Sequence, residues 1–172
     1  TILVSAARAR EFTDKPVYVA GFGLATEHPY LHEKTTFTAL PATTLAAERA
    51  YAMAGVTPAD IDVAEVHACF TITEILDIED LGFVEKGKGG IASLEGETSL
   101  TGRIPVNPSG GLLAKGHPIG ATGVAQITEC WWQLRGEAEE RQVAIRNGFA
   151  LQHNVGGRGS GVGVVNILTT RA

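Results

Sequence analysis

Three short stretches hold residues that can move protons or bind an anion. The first is Glu65-Val66-His67-Ala68-Cys69-Phe70, where an apolar run gives way to a His and a Cys two residues apart. Between a strand and a helix, such a pair meets a helix N-terminus, whose free N–H groups and dipole favour negative charge. A thiol in that setting ionises more readily than one in free solution. A His at the strand end can donate to an oxyanion. The plain alternative is that Cys69 and Phe70 are core residues.

The second stretch runs from Asn107-Pro108-Ser109-Gly110-Gly111 to Lys115-Gly116-His117-Pro118-Ile119-Gly120-Ala121-Thr122-Gly123. Glycine turns bracket His117, and the small residues after it let a ligand or a second backbone approach. A His held there is placed to exchange a proton near neutral pH. A phosphate-binding loop is the alternative, but neither nucleotide-loop pattern is present. The third stretch is His153-Asn154-Val155-Gly156-Gly157-Arg158-Gly159-Ser160-Gly161. Successive glycines there expose N–H groups able to hold an anion, or they simply form a hairpin tip. His28 and His32 read as solvated, Cys130 beside Trp131 and Trp132 as helix packing, and residues 137–141 as a charged loop.

These stretches need a scaffold, and the composition supports one. The chain has 172 residues, 44% hydrophobic and 19% charged, enough for one globular domain with a real core. A net charge of -5 without a basic stripe argues against a nucleic-acid partner. No apolar run reaches the ~18 residues of a membrane helix, so no membrane is expected. Two cysteines suit a reducing cytoplasm and are too few for a disulfide framework or a Cys-rich zinc site. No metal is expected.

Strand pattern marks residues 17–23, 61–66, 142–151 and 161–168, with residues 1–5 reading as the end of a further strand. Residues 6–12 form a short charged helix and 28–40 a polar loop. Helices are expected over 42–54, closed by Gly55, and over 71–81, closed by Gly82. Thr57 and Pro58 start a helical turn. The strongest helix spans 120–134, with Val124, Ile127, Trp131 and Leu134 as its apolar stripe and Gly136 at its end. Residues 85–103 read as a surface excursion. That order gives an α/β layered sheet whose last strand is antiparallel to its neighbour.

Taken together and in this order, the three stretches resemble the C-terminal half of thiolases, above all the sterol-carrier-protein-type enzymes. The likeness covers nearly the whole chain. It includes Glu79-Asp80-Leu81-Gly82-Phe83 and the run from Gly102 to Gly111, and Gly-His-Pro-Ile-Gly-Ala-Thr-Gly preceded by Asn-Pro-Ser-Gly-Gly is its most specific part. The resemblance implies one half of a thiolase-like layered fold, a mixed five-stranded sheet with helices on both faces. Residues 1–14 would end the preceding N-terminal half and 15–172 form the C-terminal domain. It also implies acyl transfer on 3-oxoacyl-CoA and acyl-CoA thioesters through a cysteine, with coenzyme A as substrate and no other cofactor.

By the same resemblance, His117 activates the nucleophilic cysteine and helps bind a thioester oxygen. Cys69 is the acid/base at the α-carbon and His67 helps build the enolate oxyanion hole. Gly157 lends an N–H to a second oxyanion hole, and Asn154, Phe70 and Gly156 line the substrate. The sequence departs from the family twice: Ala68 stands where the loop usually carries Asp, and Asn154 where other thiolases carry the Cys of C-x-G. The nucleophile belongs to the N-terminal half, in the same chain or a separate subunit, so the fragment alone is expected to be inactive. A homodimer is implied as well. Two competing readings are a retro-aldol lyase on the same fold, which would want a tyrosine where Tyr18, Tyr30 and Tyr51 do not fall, and a non-catalytic acyl-CoA or lipid-binding module.

Overall fold

A computed structural model describes residues 2–157 and 160–171. The expectations placed on Thr1, Arg158, Gly159 and Ala172 lie outside the described residues.

Among the described residues, four strands form one sheet in the order β1-β4-β3-β2: β1 (Tyr18–Thr26), β2 (Val63–Glu65), β3 (Phe149–Gly156) and β4 (Val162–Thr169). β2 runs parallel to β3, while β4 is antiparallel to both β3 and β1. The expected mixed sheet is therefore present with four strands, not five. Residues 2–5 take no part in it, and Ile2 and Leu3 stand in solvent. Pairing also starts later than expected in 142–151, at Phe149.

Helices cover both faces. On one face lies α1 (Pro41–Ala54), with Pro in its first turn and a left-handed Gly55 at its end. Its Ala42, Ala46 and Ala50 are fully buried because the strands beneath offer glycine. A Cβ at Gly23 would sit 1.9 Å from the Ala46 carbonyl oxygen, and one at Gly21 2.4 Å from that of Ala50. Small residues on both sides bring helix backbone onto strand backbone. α2 (Thr71–Asp80) also feeds this core through Ile78, beside Leu151, Val165 and Ile167.

On the other face lies α5 (Thr122–Arg135), after two short helices, α3 (Gly89–Leu94) and α4 (Gly111–Lys115). α3 shows that the glycine-rich excursion has helical structure of its own. The expected stripe of α5 is only partly right. Leu134 and Ile127 join a small core with Val63, Cys130 and Leu168, but Val124 is 49% exposed. The buried face also carries polar residues, Gln126, Glu129 and Gln133, beside Cys130 and Leu134. Each has a partner that a stripe count cannot see: Gln126 meets Val66 and Gln152, while Glu129 binds Gln133 and Arg141. On this face Phe22 and Leu24 of β1, 55% and 54% exposed, remain uncovered.

Candidate active site

β2 delivers the first loop. Glu65, fully buried, ends the strand and anchors the second loop: its carboxylate accepts from the Ser109 hydroxyl at 2.7 Å and from Lys115 at 3.1 Å. Burial pushes the Glu65 carboxyl up, and Lys115 is the largest influence pulling it back. Val66 is held on both sides. Its N–H donates to Asn107 Oδ1 and its carbonyl accepts from Gln126 Nε2, both at 2.9 Å. Asn107 takes a left-handed backbone, with φ of 52°, and passes its amide N–H on to Glu74 of α2 at 2.6 Å. The residue before His67 is thus fixed to α2, α5 and the Asn-Pro-Ser-Gly-Gly turn at once.

His117 leaves α4 after Gly116, whose φ of 89° suits glycine, and stands just before α5. Its Nδ1 lies 2.8 Å from Thr122 Oγ1, and that hydroxyl donates to the Pro118 carbonyl at 3.1 Å. The two imidazoles meet edge to face with centroids 4.8 Å apart. Asn154 Nδ2 approaches His67 Nδ1 at 2.6 Å. His67 is almost fully buried, and its pKa is held down to about 4, first by burial and then by the neighbouring His117 and His153. At neutral pH it is an uncharged imidazole with one N–H.

Asn154 is not in a loop. β3 continues through His153, Asn154, Val155 and Gly156, and only Gly157, with φ of 77°, begins the turn. The alternation of a strand therefore splits the third motif. His153 points to the α1 face, where Nε2 meets Thr43 Oγ1 at 3.0 Å and Nδ1 faces buried Asp77 at 3.5 Å. Asn154 points to the α5 face and its Oδ1 occupies the space a Cβ at Gly123 would need, 2.7 Å away.

Cys69 and Phe70 stand where α2 begins. Cys69 is half-buried with Sγ 3.8 Å from Thr73 Oγ1, and Phe70 is exposed. Cys130 is fully buried, which pushes its thiol well up, and its Sγ faces the Leu151 carbonyl at 3.5 Å. Of the sequence candidates, the structure brings His67, His117 and Asn154 into contact. Sequence reading placed Glu65, Asn107 and Thr122 inside the first two stretches but gave them no role, and it missed Gln126 and Gln152, which nothing local marks.

Residues 23–170 match the family model described as thiolase C-terminal domain-like. The acetyl-CoA acetyltransferase of Methanothermobacter thermautotrophicus is 53% identical over 168 residues, 98% of this chain and 43% of that protein. Sterol carrier protein 2 of Oryctolagus cuniculus is 51% identical over 117 residues, 68% of this chain and 21% of that protein. The chain thus spans less than half the length of these curated relatives. Among solved structures, a chain of the Ltp2-ChsH2(DUF35) aldolase superposes with a TM-score of 0.82 at 24% identity, over 98% of this chain and 44% of that one. The monomeric SCP2-thiolase like protein type 1 of Mycobacterium smegmatis gives 0.65 at 21%, over 91% and 29%. At those identities the two structures speak for the fold.

Proposed function

Since this chain belongs to the thiolase C-terminal domain-like family, we propose that it supplies proton-transfer and oxyanion groups for acyl transfer on 3-oxoacyl-CoA and acyl-CoA thioesters. The single observation that carries the reading is the His67–His117 contact at 4.8 Å with Asn154 on His67. Two imidazoles on separate loops converge there on one small space.

The roles follow from the bonds each group has left. Thr122 uses its proton on the Pro118 carbonyl, so it accepts from His117 Nδ1–H. His117 Nε2 then keeps a lone pair and acts as base towards a cysteine thiol. That cysteine belongs to a second half, as part of the same polypeptide or as a separate subunit. Its thiolate attacks the 3-oxo carbonyl and forms a thioester, and the C2–C3 bond breaks. The bonding pair moves into an acetyl-CoA enolate, whose oxygen His67 holds. Cys69 gives its proton to the enolate carbon, and coenzyme A takes the acyl group from the enzyme thiol. Gly157 offers an N–H to the acyl oxygen, while Gly156, Asn154 and Phe70 border the substrate.

Residues 15–172 form the C-terminal domain in this reading, and the uncovered Phe22 and Leu24 face the other half. A homodimer in the cytoplasm, with coenzyme A as substrate and no further cofactor, completes it. The acyl-transfer reading is preferred over the retro-aldol one because none of Tyr18, Tyr30 and Tyr51 lies in the loops that carry His67, Cys69 and His117, and Tyr51 is buried with its hydroxyl on the Leu81 carbonyl.

The test joins this chain to its nucleophile-bearing half. Cys69→Ala is expected to lower exchange of the acetyl-CoA α-hydrogens with D2O by at least about a hundredfold while leaving acylation of the enzyme thiol intact. Unchanged exchange would remove Cys69 from its role. Thiolysis of acetoacetyl-CoA by the 172-residue chain alone would remove the second half.

A further inference from the structure

A buried string of side-chain amides runs from the first loop, through α5 and β3, back to the first loop. Gln126 Nε2 donates to the Val66 carbonyl at 2.9 Å, and Gln126 Oε1 accepts from Gln152 Nε2 at 3.0 Å. The same Gln152 amide nitrogen donates to Asn154 Oδ1 at 3.0 Å, and Gln152 Oε1 accepts from Asn166 Nδ2 at 2.6 Å. Asn154 Nδ2 then meets His67 Nδ1 at 2.6 Å. Gln126 is fully buried and Gln152 nearly so.

The direction of every bond is forced from one end. A backbone carbonyl only accepts, so Gln126 must turn its NH2 towards Val66. Its carbonyl then faces Gln152, which must answer with NH2. The second N–H of Gln152 requires the carbonyl of Asn154, so Asn154 turns its NH2 to His67 Nδ1. Reversing any member would set like groups face to face at about 3 Å, away from water, where neither finds another partner. Nδ1 must therefore be the unprotonated nitrogen.

We propose that Gln126 and Gln152 are positioning residues that hold His67 in its Nε2–H tautomer, making it an obligate hydrogen-bond donor to the substrate oxygen. The functional half of that statement rests on the reading of His67 given above. A neutral imidazole has a single N–H, so its placement decides whether the ring donates or accepts. His67 is neutral at pH 7 because it is buried. Thr122 imposes the opposite tautomer on His117. One motif is thereby set as donor and the other as acceptor.

The experiment is 15N NMR of the 172-residue chain with labelled histidine at pH 8, His67 being identified by the signals lost in His67→Gln. His67 is expected as Nε2–H almost completely. A majority of Nδ1–H, or the mixture a free imidazole shows, overturns the proposal without any further variant. Gln152→Glu supplies the second test. The carboxyl that replaces the amide carries at most one proton, and Gln126, held in place by the Val66 carbonyl, takes it; Asn154 then meets an acceptor, turns over and presents its carbonyl to His67 Nδ1. The tautomer should swap to mostly Nδ1–H, and a folded variant that keeps Nε2–H overturns the relay. In the complete enzyme the same variant should lower α-hydrogen exchange about a hundredfold, the scale of one lost oxyanion donor, with little change in KM. A swapped tautomer with undiminished exchange upholds the relay and rejects His67 as the donor.

Discussion

Replacing His67 by Gln should remove a pH dependence of stability that the folded chain otherwise carries. The imidazole sits against His117 with its Nδ1 on Asn154, and burial is the main reason its pKa falls from 6.5 to about 4. Above pH 6.5 both folded and unfolded states leave the ring neutral, and stability is complete. Between 6.5 and about 4 the unfolded chain takes up a proton that the folded chain refuses, so stability falls with pH. Below about 4 both states are protonated and the loss stops. At about 1.36 kcal/mol per pH unit the total comes to about 3 kcal/mol. Glutamine keeps the local bonds, since its carbonyl accepts from Asn154 and its NH2 replaces the Nε2 donor, but it does not titrate. Urea unfolding of both chains from pH 7.5 to 3.5 reads the effect. Glu65, Glu74 and Asp77, whose carboxyls are pushed up chiefly by burial, titrate in both chains and cancel in the difference. The wild-type chain should lose about 3 kcal/mol relative to His67→Gln over that window. A flat difference would mean that His67 accepts its proton as readily folded as unfolded, and the account of it as a neutral donor would fall.

Two further outcomes follow from packing and charge. Lys115→Met removes the cation on buried Glu65, so the Glu65 carboxyl rises further. The folded chain then retains a proton that the unfolded chain releases, and destabilisation grows from near zero at pH 4 to about 3 kcal/mol at pH 8. An equal loss at both pH values in urea titrations would refute this. Gly23→Ala drives a methyl to within 1.9 Å of the Ala46 carbonyl oxygen, where backbone cannot yield cheaply. A loss of at least about 3 kcal/mol is expected, while Gly120→Ala, with open space around its Cβ position, should cost far less in the same thermal unfolding assay.

Local features of the sequence announced most of the frame. Gly55, Gly82 and Gly136 end helices or turns with positive φ because a side chain resists that backbone. Pro58 and Thr57 open a helical turn, with Thr57 N–H bonded to Asp60 at 2.8 Å. Signals that act over a few residues are written in a few residues. The α5 stripe holds at Ile127 and Leu134, which pack on Val63 and Leu168, but not at Val124, and beside it the helix turns Gln126 towards a carbonyl and an amide; residues 2–5 find no strand to join.

The sequence by itself determined which residues could do chemistry: His67, Cys69, His117 and the glycines around them were legible as types at particular spacings. Tertiary structure alone decided what those residues can do. It joined positions 67, 117 and 154, turned the supposed third loop into a strand that sends His153 and Asn154 to opposite faces, and placed Gln126 and Gln152 beneath them. Hydrogen-bond direction is a property of pairs, and the pairs Gln126–Gln152, Val66–Gln126 and His67–Asn154 are separated by 26 to 87 positions along the chain. No pattern confined to one segment can record them.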